Sequence, residues 1–299
     1  MEQKLLTVFT PTYNRKSLLH QCYESLQRQS CRDFLWLIVD DGSDDGTEAL
    51  VRCWEAEGLV PIRYLRKENG GLHTAYNAAI AVMDTELAVC VDSDDYLADD
   101  AVGRIAEVWR SRGGAGVAGI VALNRTPERD VLGVRLPELE TAHLIDLYCR
   151  HRCRSDLKMI YRTRLLKQEG PIPEIPGEKD MNPYYLFLKI DRKLPMLLMN
   201  EPVCMVNYQP GGMSTDVVRQ YVRSPRSFGE LRLMMVSMER ATLVYRVKHS
   251  IHLVSSALLA RDRKLLARHP DKWILAAALL PGLCLGLAVR TVCRRKYQS

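Results

Sequence analysis

The chain has 299 residues, 47% of them hydrophobic and 26% charged, with a formal net charge of +6. This length supports one large or two modest domains with a packed core, and the composition excludes a disordered chain. The charge is uneven: from Arg240 onward twelve Lys or Arg stand against two Asp or Glu, which leaves 30 basic and 34 acidic residues before that point. The basic surplus is therefore a C-terminal property, pointing to a local anionic partner and not to nucleic acid along the whole fold.

Nine cysteines are an odd number with no Cys-x-x-Cys pair, and Met1-Glu-Gln-Lys leads into an apolar run with no signal segment between them. Reduced thiols in a cytosolic compartment are the expectation. Cys149 and Cys153 lie near His143 and His151, but their spacing fits none of the usual zinc patterns.

In chain order, Leu5 to Thr10 is predicted as a strand, Pro11 to Arg15 as a turn, and about Ser17 to Arg28 as an amphipathic helix capped by Ser17. A second apolar run, Phe34 to Val39, ends in the acidic, glycine-containing loop Asp40 to Gly46, and Thr47 opens another helix. Ile62 to Arg66 is a short strand, and Glu68-Asn-Gly-Gly-Leu72 turns into a helix running to about Met83. Leu87-Ala-Val-Cys-Val-Asp-Ser-Asp-Asp-Tyr96 then reads as a buried strand whose tip carries Asp92, Asp94 and Asp95. Strand alternation puts Asp92 and Asp94 on one face. Carboxylates so crowded repel one another unless a cation intervenes, and hard oxygen ligands favour Mg²⁺ or Mn²⁺ over zinc. The competing reading of this stretch is a solvated acidic loop. Alternating strands and helices imply an α/β fold with a mostly parallel sheet and helices on both faces, its strand-end loops gathered on one edge.

Each loop has residues suited to a nucleotide. Asp41 can accept a hydrogen bond from a base N–H, Tyr13 offers a flat surface for the ring, and Gly70 and Gly71 let the backbone approach a diphosphate. His73 and Asn77, four apart, share a helix face.

Thr10-Pro-Thr-Tyr-Asn-Arg, Val39-Asp-Asp-Gly-Ser-Asp-Asp-Gly-Thr, Asn69-Gly-Gly-Leu-His-Thr-Ala-Tyr-Asn and Val91-Asp-Ser-Asp-Asp resemble, in that order, the N-terminal signatures of family-2 inverting glycosyltransferases. The resemblance implies a GT-A (Rossmann-like) fold, a nucleotide-diphosphate sugar donor, usually UDP-linked, and a divalent metal. It implies donor contacts from Pro11, Thr12, Tyr13, Arg15, Asp41, Gly71, His73, Asn77, Asp92, Ser93 and Asp94, with Asp41 on the uracil and Asp94 and Asp95 on Mn²⁺ or Mg²⁺. Related sequences often carry Lys where this chain has Leu72.

Farther on, Val117 to Leu123 is predicted as a strand, Asn124 to Glu140 as a mobile excursion, and Ala142 to Cys149 as a helix. Lys158 to Tyr161 reads as a strand, Arg162 to Glu169 as a helix, and about Pro183 to Asp191 as another. Inverting transfer needs one base to take the acceptor proton, and a carboxylate on a loop before a helix suits that role. The resemblance of Gly177-Glu-Lys suggests Glu178, with Asp180 the alternative, while Asn207 to Ser214 resembles a loop that closes over the donor diphosphate. Residues 1–123 are expected to form the nucleotide-sugar half of the GT-A domain, 124–226 the acceptor half, and 227–299 C-terminal helices.

Trp273 to Val289 is almost purely apolar, flanked by basic residues at both ends and interrupted by Pro281-Gly282. Seventeen helical residues reach only about 26 Å, so a re-entrant or interfacial element on an anionic cytoplasmic leaflet is expected, before a core helix or a single spanning anchor. The combined expectation is a metal-dependent, membrane-associated inverting glycosyltransferase of polysaccharide synthesis. It would act at the inner face of the cell membrane on a lipid-linked or glycan acceptor. The rival readings are a non-catalytic sugar-nucleotide-binding scaffold and an Asp-x-Asp phosphohydrolase.

Overall fold

Runs rich in Val, Ile, Leu and aromatic residues become the strands of one sheet, where both faces of each strand can be buried. In the computed structural model, which describes residues 4–153, 156–207 and 216–297, the first four strands alternate with helices. They are β1 (Leu6–Thr12), α1 (Leu19–Gln27), β2 (Phe34–Asp40), α2 (Thr47–Glu57), β3 (Ile62–Arg66), α3 (Leu72–Val82) and β4 (Leu87–Cys90). All pair in parallel in the order β3-β2-β1-β4, so the loops that leave their C-terminal ends meet on one edge.

The sheet continues through β5 (Tyr96–Leu97), α4 (Ala101–Arg112), β6 (Gly119–Arg125), β7 (Thr141–Ala142), α5 (Leu144–Cys149), β8 (Leu157–Arg162), α6 (Thr163–Glu169), α7 (Tyr184–Asp191) and β9 (Met196–Met205). Beyond β4 the parallel expectation gives way, because β8 inserts antiparallel between β4 and β6. The result is a mixed sheet flanked by helices. On one face Tyr23 stacks on Trp54 at 4.3 Å and the Trp36 indole donates to Thr10 Oγ1 at 2.9 Å, so the buried ring leaves no polar atom unpaired. The other face packs Phe9 on Tyr76 and Tyr161 on Phe187.

Two local expectations change. The strand of the acidic stretch ends at Cys90, and Asp92 to Asp95 form a turn closed by the Asp95 N–H on the Asp92 carbonyl at 2.9 Å. Strand alternation therefore does not orient these carboxylates. The segment 126–140 is irregular but not free: Leu136 is buried and its N–H donates to Asn200 Oδ1 at 2.8 Å.

The C-terminal helices are α8 (Val217–Arg223), α9 (Pro225–Val236), α10 (Leu243–Ala260), α11 (Lys264–Ala267) and α12 (Lys272–Tyr297). Against the expected interruption, Pro281-Gly282 lies inside one continuous helix of 26 residues, about 39 Å long at 1.5 Å per residue. The two glycines explain its seat on α10. A Cβ on Gly282 would lie 2.5 Å from Val254 Cβ, and one on Gly286 2.8 Å from Leu258 Cδ2, so only the bare backbone permits this approach. The opposite face is open, with Trp273 87% and Leu280 72% exposed, and Lys272–Arg295 is long and apolar enough to cross a membrane.

Gly282→Leu should force α12 off α10 and destabilise the fold by about 1–3 kcal/mol, the usual cost of overpacking. Thermal melting followed by circular dichroism, with limited proteolysis of the freed helix, checks this.

Candidate active site

The strand-end edge opens into a cavity of about 990 Å³. Its wall carries Pro11, Thr12, Tyr13 and Arg15 from the β1 loop, Asp41 after β2, Gly71 before α3, and Asp92, Ser93, Asp94 and Asp95 after β4. Asp180 and Lys179 line it as well. Three of the residues expected at the site, His73, Asn77 and Glu178, are not on this wall.

Asp41 is the most heavily bonded of the carboxylates. It accepts from Lys67 Nζ at 2.7 Å, Asn69 Nδ2 at 3.1 Å, and the backbone N–H groups of Gly70 and Gly71 at 3.0 and 2.8 Å. Its neighbour Asp40 is fully buried, takes the Ser43 N–H at 2.7 Å and binds the Tyr64 hydroxyl. The Asp40 to Gly46 segment is thus both an Asx-type turn and the presenter of Asp41. Tyr13 stands half exposed at the rim, 49% open, as a flat surface must.

The acidic turn separates its three carboxylates by environment. Asp92 is exposed. Asp94 pairs with Arg15 at 3.2 Å, and burial raises its carboxyl above the ordinary range, with Arg15 opposing and Asp92 adding to the shift. Asp95 is only 5% exposed, accepts from the Asn207 N–H at 3.3 Å and lies 3.5 Å from Lys158 Nζ. Burial pushes its carboxyl up to about 6, against the pull of Lys158 and with the repulsion of Asp92 and Asp94. Lys158, on β8, was not expected here. The signal in the sequence was a Lys among the apolar residues Leu157, Met159 and Ile160, at a position that alternation turns inward.

Among the described residues no three His, Cys, Asp or Glu converge as a metal site of the protein alone. A hard divalent ion nonetheless fits the donor set, since Mg²⁺ and Mn²⁺ sites of this kind use one or two carboxylates and complete the shell with water and substrate phosphates. Asp92, Asp94 and Asp95 all line the cavity wall, with Asp92 exposed and Asp94 paired with Arg15. Asp95 faces a lysine.

The loop before α7 reaches both the glycine loop before α3 and the start of α9. Gly71 adopts φ +96°, and a Cβ there would sit 2.2 Å from the Lys179 carbonyl oxygen, so the two loops pass in backbone contact. Lys179 Nζ donates to Asn69 Oδ1 at 2.6 Å. Glu178 spends both oxygens on α9, accepting the N–H of Arg226 at 3.0 Å and of Ser227 at 2.7 Å, a helix N-terminal cap. Asp180 accepts from Ser224 Oγ at 2.8 Å through Oδ2 alone. His73 is buried, which lowers its basicity, and Asn77 bonds Ile172 and Glu174, so both fasten α3 to the segment 172–179. Most of the expected closing loop, residues 208–214, lies outside the described residues; Asn207 reaches Gln21 at 2.9 Å.

A mixed α/β sheet with an acidic turn and a glycine loop around one strand-edge cavity defines the GT-A class of fold. Residues 7–167, more than half of the chain, match the family model described as glycosyl transferase family 2, and the chain belongs to that family. It is 34% identical over 99 residues to a hyaluronan synthase of Pasteurella multocida, covering 33% of this chain and 10% of that protein. It is 32% identical over 97 residues to glycosyltransferase GlyA of Streptococcus pneumoniae, covering 32% and 14%. The match thus spans a small fraction of these relatives' length. In fold the chain is similar to S. aureus TarS 1-349 in complex with UDP, with a TM-score of 0.64 and 16% identity over 97% of this chain and 91% of that one. It is also similar to a Pyrobaculum calidifontis mannosyltransferase in complex with GDP-Man and Mn²⁺, at a TM-score of 0.58 and 17% identity over 96% and 88%.

Glu178→Gln should cost about 1 kcal/mol of stability through the weakened cap, visible in urea denaturation. UDP affinity should stay within twofold and turnover within tenfold. A collapse of turnover at unchanged stability would instead give Glu178 the role of base.

Proposed function

We propose that the chain is an inverting glycosyltransferase that moves a sugar from a nucleotide-diphosphate donor, a UDP-sugar, to a hydroxyl of a polysaccharide or lipid-linked acceptor. The observation that carries this is the cavity that has Asp41, Tyr13, Gly71 and the acidic turn on the same wall as the sparsely bonded carboxylate Asp180. Support for the donor class comes from the structural neighbours solved with UDP, UDP-GlcNAc and GDP-Man.

In this reading the uracil N–H replaces one of the four donors on Asp41, Tyr13 underlies the ring, and the Gly70-Gly71 backbone lies along the diphosphate. Asp92 would reach the ribose, and Asp94, with Asp92, would hold Mn²⁺ or Mg²⁺. When bound, such a cation neutralises charge on the departing diphosphate. Arg15 positions Asp94, and Lys158 fixes Asp95 beneath the turn. Asp180 is the base: its Oδ2 is held by Ser224, and Oδ1 takes the proton of the acceptor hydroxyl. The acceptor oxygen bonds to the anomeric carbon from the face opposite the diphosphate, whose C–O bond breaks as the electron pair leaves with it.

Asp180→Asn should lower kcat by about 10²–10⁴-fold, the contribution typical of a general base, and leave the UDP dissociation constant unchanged. Stopped-assay turnover and calorimetric titration read the two separately. UDP binding without turnover in the wild type, with acceptors supplied, would favour the scaffold reading.

We place the enzyme at the cytoplasmic face of the membrane, with the outer face of α12 in the lipid interface. One face of α12 is sealed on α10, which carries Arg246 and Lys248, so crossing would draw those charges into hydrocarbon. The paired substitution Trp273→Ser and Leu280→Ser on the exposed face should reduce cosedimentation with vesicles containing anionic lipid at least tenfold without changing the melting temperature.

A further inference from the structure

The cavity does not end at Asp180. It runs on to the C-terminal helices, and from Pro183 onward the one charged residue on its described wall is Arg232 of α9. The residues around it are of another kind: Tyr184, Phe187 and Phe228 present rings, and Gln220 a neutral amide.

Arg232 has no carboxylate within ion-pair distance among the described residues, unlike Arg15 and Lys158 at the other end. Its Nη1 bonds His249 Nδ1 at 3.0 Å and Met235 Sδ at 3.3 Å, both neutral acceptors, and its buried Nε has no partner. Burial, then Arg232 itself, push His249 down to about 2, so the imidazole is uncharged and its Nδ1 accepts a hydrogen bond from the guanidinium. Burial lowers the pKa of Arg232 as well, yet a guanidinium keeps its proton in proteins. A part-buried cation held by neutral groups, facing an open cavity, is an incomplete ion pair.

We propose that Arg232 completes this pair with the acceptor: the acceptor carries an oxyanion, a phosphate or a carboxylate, that docks on this guanidinium. The inference rests on the glycosyltransferase reading and adds the chemistry of the substrate that it takes. Arg232 lies eight residues past Ser224, the partner of Asp180, about 12 Å along the axis of α9. The anion therefore belongs to a unit beyond the one whose hydroxyl reacts, and the part-exposed ring of Phe228 is available to a sugar face between. Arg232 contacts substrate without touching the reacting atoms, so it sets which acceptor binds.

The test is calorimetric binding to the full chain loaded with UDP and Mn²⁺, using a uronate-containing tetrasaccharide, a glycerol-phosphate oligomer and a neutral tetrasaccharide. At least one anionic probe should bind tenfold or more tightly than the neutral one, weakening with added salt, and the two anionic arms tell carboxylate from phosphate. Arg232→Gln should remove that preference, a loss of about tenfold to a hundredfold, and Arg232→Lys should restore part of it. UDP affinity should be unchanged in both variants, which shows that they fold. Equal binding of neutral and anionic probes, no binding of either anionic probe, or a preference that survives in Arg232→Gln overturns the proposal. Failure to bind UDP at all is the separate failure of the donor reading.

Discussion

A site that handles a diphosphate gathers carboxylates at the end of a buried sheet, and the fold must hold them there without donor present. Isolated, each would be expelled from the low-dielectric edge or protonated. Three of them are instead given a cation from another part of the chain: Asp41 has Lys67, Asp94 has Arg15, and Asp95 has Lys158, while the fully buried Asp40 is held by the Ser43 N–H and the Tyr64 hydroxyl. The last pair explains the topology. β8 inserts against the direction of β4, and that insertion carries Lys158 beneath the acidic turn, with its ammonium also on the Cys90 carbonyl at 3.3 Å. Breaking such a pair from one side leaves a buried charge alone, which costs far more than the pair contributes.

The segment Glu178-Lys179-Asp180 is the second point on which the architecture turns. Three successive side chains do three things. Glu178 caps α9, Lys179 bonds the donor loop at Asn69, and Asp180 faces the cavity. Because the Lys179 carbonyl also abuts Gly71, the position of Asp180 relative to the donor loops is set by backbone contact and not by a flexible arm. The cap does further work: a carboxylate at the positive end of α9 orients the helix whose later turn carries Arg232.

The donor half was legible in the sequence because its chemistry is local. Strand, loop and helix follow one another within about thirty residues, and each loop keeps its own Asp, Gly or Tyr where the strand ends. The acceptor half was less so. α4 carries Ala101, Val102, Ile105, Ala106 and Trp109 at helical spacing, a pattern legible in the sequence. β9 was not readable, because Asn200, Glu201 and Pro202 interrupt it; Pro202 is tolerated where the register with β6 shifts, a long-range circumstance that no local pattern announces. Glu178 and Asp180 are equivalent as sequence, two acids on one loop, and only the neighbouring helix end distinguishes a cap from a free carboxylate. Pro281-Gly282 read as a break, whereas the glycine serves the contact with Val254.

The C-terminal helices connect the far end of the cavity to the open face of the molecule. α10 offers His249 to Arg232 on one side, and Val254 and Leu258 to the glycines of α12 on the other. A single helix thus separates the acceptor end from the apolar surface formed by Trp273 and Leu280. Gly282 and Gly286 let α12 lie at backbone distance from the Val254 and Leu258 side chains, so the two helices form one closely packed pair. A lipid surface that orients α12 therefore also orients the imidazole that holds the Arg232 guanidinium toward the cavity. In the proposed function, acceptor selection through Arg232 and membrane docking through Trp273 and Leu280 become two faces of the same group of packed helices.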